Sequence, residues 1–209
     1  LTGKIEKHDF TAEQLVGAVR LMSYSAQTVA LLPLAIDTAY AGRYGMLAGE
    51  AQVLLGSAQD AINVPMHNSV VCTEDVPYFP SVPPARLDDT YLGTSIVDSL
   101  RAICSVWPKG VMDEDFKMPL KFAGPVMLLS GENDPVTPPD YAVEAMAHGL
   151  HNAVHVIGPG QGHGMAAVGC MPRLMARFLE TARPAAVDTH CLAAEKPTPF
   201  FLSASGPGP

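Results

Sequence analysis

An α/β fold is the class this sequence predicts, and three stretches predict it. "PVMLLS" at residues 125–130 and "AVHVI" at 153–157 are short apolar runs of strand length. Between them lies a helix-spaced set, Ala142, Val143, Met146 and Leu150, and after them "MPRLMARFLETA" carries Leu174, Met175, Phe178 and Leu179 on one stripe. Strand, helix, strand, helix is the order of parallel α/β structure.

The residues before this segment, 1–118, predict mainly helices. In "DFTAEQLVGAVRLM", Thr11 is a cap, Gln14 completes a capping box, and Phe10 and Leu15 occupy the positions of a hydrophobic staple. A second helix is expected to open at Pro33 and run through "LAIDTAYA" to a stop at Gly42. "MLAGEAQVLLGSA" is a third. "NSVVCTED" at 68–75 is a short apolar run closing on two acids and predicts a strand end. "PYFPSVPP" is a proline-rich connection, and "TYLGTSIVDSLRAICSVWP" a helix that ends before Pro108.

From residue 125 the pattern changes. "PVMLLS" is expected to be buried on both faces, with Thr137 and Pro138 as N-cap and first turn of the next helix. "GPGQGHG" is a tight glycine turn that presents His163. The tail from 193 to 209, dense in proline and glycine, is expected to be irregular.

Composition excludes several functions. The chain has 209 residues, 48% of them hydrophobic and 16% charged, as expected for a soluble globular domain. A net charge of −8 without any basic run excludes nucleic acid as a partner, and no apolar run reaches the roughly 20 residues of a membrane span. "LTGKIEKHDF" contains no apolar signal core, so any targeting segment is expected to have been removed or to lie upstream of Leu1. Cys72, Cys104, Cys170 and Cys191 form no CxxC motif and admit three pairings; an even count with wide spacing fits an exported protein, and four buried free thiols would fit a cytosolic one equally well. His148, His151 and His155 straddle a helix end, a turn and a strand, which gives them no shared face for a metal.

Functional groups of an open parallel sheet gather in loops beyond the carboxyl ends of its strands, where both Asp134 and His163 lie. With neighbouring strands about 4.8 Å apart, the carboxylate and imidazole come within hydrogen-bonding reach. That is the supporting half of a nucleophilic triad. A loop acid that merely steadies the turn before Pro135 is the bland alternative.

"PVMLLSGENDPVTPP" and "GQGHG" resemble the acid and histidine segments of α/β-hydrolases. With "SVVCTEDVP", "LLPLAIDTAYAG", "FLETARPAAVDTHC" and the Cys104–Pro108 segment, the resemblance narrows to secreted tripeptidyl and prolyl aminopeptidases, the TAP-like family, over residues 10 to about 192. It implies the carboxyl-terminal portion of an α/β-hydrolase fold: a helical cap over 1–118, then the last two parallel strands and their helices over 119–192. It implies His163 as general base, Asp134 as the acid that orients it, Glu74 and Asp75 as candidates for binding the substrate's free amino terminus, and a Cys170–Cys191 disulfide. It implies no cofactor, and a secreted or periplasmic location.

One part of the family pattern is missing. No G-x-S-x-G nucleophile elbow occurs among the 209 residues; "LLGSAQD", "YLGTSIV" and "FLSASGPG" all lack it. In hydrolase chain order the serine precedes the acid and the histidine, so an amino-terminal hydrolase segment upstream of Leu1 is expected to supply it. Two parallel strands leave edges and apolar faces uncovered, so the chain is expected to be poorly stable without that partner segment. The expected substrate is a peptide with a free amino terminus. A small acyl ester on the same fold, or a binding protein that has lost the nucleophile, are the alternatives.

Overall fold

The computed structural model describes residues 10–81 and 90–208, without the side chains of 58–60. Most of the amino-terminal stretch "LTGKIEKHDF" and the last three residues of "PYFPSVPP" lie outside the described residues. The chain divides into two compact units, one of residues 1–18 and 49–117, the other of residues 19–48 and 118–209. Residues 19–48, read from sequence with the helical region, thus cluster with the carboxyl-terminal segment.

In the first unit, α1 (Ala12–Met22, which ends in the second) opens with the predicted capping box. The Thr11 N–H donates to Gln14 Oε1 at 2.9 Å, and the Gln14 N–H to Thr11 Oγ1 at 3.3 Å. Helix α3 (Gly45–Ala61) also has residues in both units, and α2 (Ala26–Tyr40) belongs to the second. "NSVVCTED" is not a strand; it is the body of helix α4 (Val64–Glu74). The helix starts upstream, where Asn63 Oδ1 accepts the Met66 N–H at 3.1 Å and Pro65 fits the first turn. Two adjacent valines cannot outweigh that start. Helix α5 (Ser95–Val106) stops at Trp107, before Pro108, as predicted. A disulfide between the buried Cys72 of α4 and Cys104 of α5 joins the two helices.

In the second unit, α2 (Ala26–Tyr40) begins two turns before Pro33. Ser25 is its cap, its Oγ accepting the Thr28 N–H at 3.2 Å. Pro33 lies inside the helix, where it has no N–H to donate, and the preceding turns still hold. The stop at Gly42 stands: its φ is +80°, a conformation that suits glycine.

Strands β1 (Val126–Gly131) and β2 (Ala153–Gly158) pair in parallel, from Val126 opposite Ala153 to Gly131 opposite Gly158. Helix α6 (Pro139–His148) joins them, and α7 (Met171–Thr181) follows. Met127 and Leu129 with Val154 and Val156 form one face, packed on Met165, Met171, Leu174 and Leu192. Each such apolar side chain contributes roughly 1.5–3 kcal/mol when fully buried. Burial on both faces of β1 is partial: Val126 to Leu129 are half-buried on alternating faces, Ser130 and Gly131 are buried, and on β2 Ile157 is 41% exposed. Among the described residues the sheet has two strands with one unpaired edge on each, and the face of Met127, Leu129, Val154 and Val156 meets this core. After the 3₁₀ turn His190–Ala194, the described residues of the tail form no helix or strand beyond a single bridge between Ser203 and Gly206, yet the Phe201 N–H reaches the Ala30 carbonyl of α2 at 2.9 Å. No helix among the described residues is long and apolar enough to cross a membrane.

Candidate active site

Two loops leave the carboxyl ends of β1 and β2 and are tied together residue by residue. The Glu132 N–H donates to the Gly158 carbonyl at 3.1 Å and the Asn133 N–H to the Gln161 carbonyl at 2.8 Å. In return, the Gly160 N–H donates to Glu132 Oε2 at 2.7 Å. The loops approach so closely that a Cβ at Gly131 would collide with the Gly162 carbonyl oxygen. Strand register, loop bonds and glycine together fix where Asp134 and His163 stand.

Asp134 is 7% exposed and fully engaged. Its Oδ1 accepts the backbone N–H of Val136 at 2.8 Å and of Thr137 at 3.0 Å, and its Oδ2 accepts the Thr137 hydroxyl at 2.9 Å. On the other side of Oδ2, His163 Nδ1 lies at 2.9 Å. Burial acts to raise the carboxyl's pKa, but the backbone donors Thr137 and Val136, then His163 and the Thr137 hydroxyl, outweigh it and hold the group below its ordinary value. The carboxylate therefore stays ionised. The turn-steadying role and the histidine contact, alternatives on the sequence, are carried by one side chain at once.

An ionised acceptor at 2.9 Å requires the proton of a neutral His163 to sit on Nδ1, which leaves the lone pair on Nε2. That second nitrogen makes no hydrogen bond among the described residues, and the side chain is 42% exposed. The backbone of His163 is held as well, its N–H donating to the Tyr24 carbonyl at 2.7 Å. The Tyr24 ring meets the imidazole edge to face, with centroids 5.7 Å apart.

Glu74 and Asp75 belong to the other compact unit, at the end of a helix rather than a strand. Glu74 is half-buried, and the exposed Asp75 has Lys117 Nζ at 3.6 Å. Cys170 and Cys191 are joined in a disulfide packed against the core of the second unit. His148 ends α6, His151 lies in the following turn, and His155 on β2 points to Ser130 Oγ at 2.9 Å. Burial holds the His155 imidazole below its ordinary pKa.

Thr137 is the clearest residue that sequence patterns misassigned. It does not cap α6, whose cap position is Pro138; its hydroxyl and N–H both go to Asp134. An acid followed three residues later by threonine was the available signal. Tyr24 contributes through its carbonyl, for which side-chain type gives no signal.

Residues 89–191 match the family model described as TAP-like protein. By that match the segment belongs to the TAP-like family of α/β-hydrolases. The TAP-like segment contains α5, both strands, Asp134, His163, Cys170 and Cys191, while α1 to α4 with Glu74 and Asp75 precede it. No curated protein and no solved structure matches the chain.

Proposed function

We propose that this chain carries the acid and base of a serine hydrolase that cleaves peptides from a free amino terminus. Its nucleophile would come from a segment outside these 209 residues. The observation that carries the proposal is the 2.9 Å bond from His163 Nδ1 to a buried, ionised Asp134, at the ends of paired parallel strands within a TAP-like segment. Asp134 orients the imidazole and stabilises its protonated form. His163 Nε2 takes the proton of the serine hydroxyl as that oxygen attacks the scissile carbonyl, then gives it to the leaving amine. Water repeats the cycle on the acyl-enzyme.

Glu74 and Asp75 are the proposed binders of the substrate's ammonium group. The carboxyl end of a helix favours a cation, and Asp75 already attracts Lys117 there. Two disulfides fit a secreted or periplasmic protein.

The test uses the protein made from its complete coding sequence. An aminoacyl or tripeptidyl anilide with a free amine should be turned over, and acetylating that amine should abolish turnover. Equal turnover of the blocked peptide, or turnover of short acyl esters alone, would overturn the aminopeptidase assignment. No turnover of either class would point to a binding protein.

A further inference from the structure

We propose that Arg20 and Tyr24 are positioning residues that lock Asp134 and His163 into one geometry. This rests on the function proposed above. Arg20 Nη1 donates to the Pro135 carbonyl at 3.0 Å. That carbonyl shares its peptide group with the Val136 N–H, which donates to Asp134 Oδ1 at 2.8 Å. Arg20 thus fixes the tilt of the peptide that aims at the carboxylate and strengthens its N–H as a donor, since bonds at the two ends of one peptide polarise each other.

Tyr24 acts on the other loop. Its carbonyl accepts the His163 N–H at 2.7 Å and its ring abuts the imidazole. The neighbouring Gly162 lies so close that a Cβ there would collide with the same carbonyl. The two holds are coupled, because the Arg20 guanidinium lies 5.2 Å from the centroid of the Tyr24 ring. A planar cation with five donors can bond a carbonyl and cover a ring together, as an ammonium cannot.

The turn that carries both residues is itself braced. The Ser23 hydroxyl donates to the Arg20 carbonyl at 2.6 Å and the Thr28 hydroxyl to the Met22 carbonyl at 2.6 Å, just before the Ser25 cap of α2. A rigid turn of the chain, distant in sequence from both loops, therefore holds the acid from one side and the base from the other. Neither residue reaches the free Nε2, so their effect is exerted through the pair.

The experiment uses protein from the complete coding sequence with ¹⁵N-labelled histidine. Two readings are taken for Arg20→Met: the low-field resonance of the His163 Nδ1 proton, and kcat and KM on a free-amine peptide anilide. The resonance should move upfield and broaden, and kcat should fall on the order of tenfold to a hundredfold with KM unchanged, the scale set by small misplacements of a reacting group. Should Arg20→Met fail to fold, Tyr24→Leu keeps the carbonyl, removes the ring and is read in the same way. A native resonance and native kcat in a variant whose thermal midpoint alone has dropped would overturn the proposal. If the wild-type protein turns over no peptide, the hydrolase proposal fails while the resonance still decides whether the clamp exists.

Discussion

Two carboxylates stand out in this chain, and the structure treats them in opposite ways. Asp134 is buried, with three donors and an imidazole around it, whereas Asp75 is exposed, with one lysine at 3.6 Å. Both close an apolar run in the sequence. What separates them is convergence: two strand-end loops meet around Asp134, and a single helix ends at Asp75. A carboxylate gains catalytic potential from donors held in place by several distant parts of the chain.

The largest effect that would break this contrast is at Asp134. Asp134→Asn should lower kcat by roughly 10⁴-fold, because an amide in that place favours the wrong tautomer of His163. A steady-state assay of the complete protein measures it, and a loss of less than tenfold would make Asp134 as dispensable as a surface acid.

The disulfides extend the comparison to the two units. Cys170–Cys191 closes a loop of 21 residues against the core beneath the His163 loop, and Cys72–Cys104 joins α4 to α5 in the other unit. Replacing Cys170 and Cys191 together with serine should cost about 3 kcal/mol in urea unfolding and lower kcat as well. Replacing Cys72 and Cys104 should lower stability with little change in kcat.

Thr137→Val is expected to cost about 1 kcal/mol, since it removes one donor from a buried carboxylate. It also has a pH signature. A carboxyl whose pKa is lower folded than unfolded contributes stability that is fully present above its unfolded value, about 4, and is lost as pH falls through the folded value. Losing the Thr137 hydroxyl raises the folded pKa toward the unfolded one, so the acid-side loss should be smaller and be complete at higher pH in a urea series of the variant. At the small end, Asp75→Asn should change stability by about 0.5 kcal/mol or less, as an exposed ion pair does. An increase in KM for free-amine peptides alone would mark Asp75 as a ligand for the substrate amine.

How much of this was legible follows from the range of each interaction. Both strands, α5, α7 and the loops of Asp134 and His163 are written in local patterns: apolar runs, proline and glycine at their ends, and helical spacing. Helix α4 was hidden because Asn63 and Pro65 sit before the valines that suggested a strand. Helix α2 was misplaced because Pro33, good at a helix start, is also tolerated inside a helix whose cap at Ser25 holds. Thr137 was mistaken for a cap because the same side chain serves a cap or a carboxylate, and only the fold chooses. Arg20 and Tyr24 were invisible for a different reason: they act over more than a hundred residues through backbone carbonyls, which every residue has.

The central claim is that Asp134 and His163 act as one unit. The most direct measurement is a double-mutant cycle on kcat in the complete protein, with Asp134→Asn, His163→Ala and both together on a free-amine peptide anilide. Each single variant should lose most of the turnover, and the double variant should be no worse than the worse single one. Losses that multiply, or a His163→Ala enzyme as fast as the wild type, would contradict it.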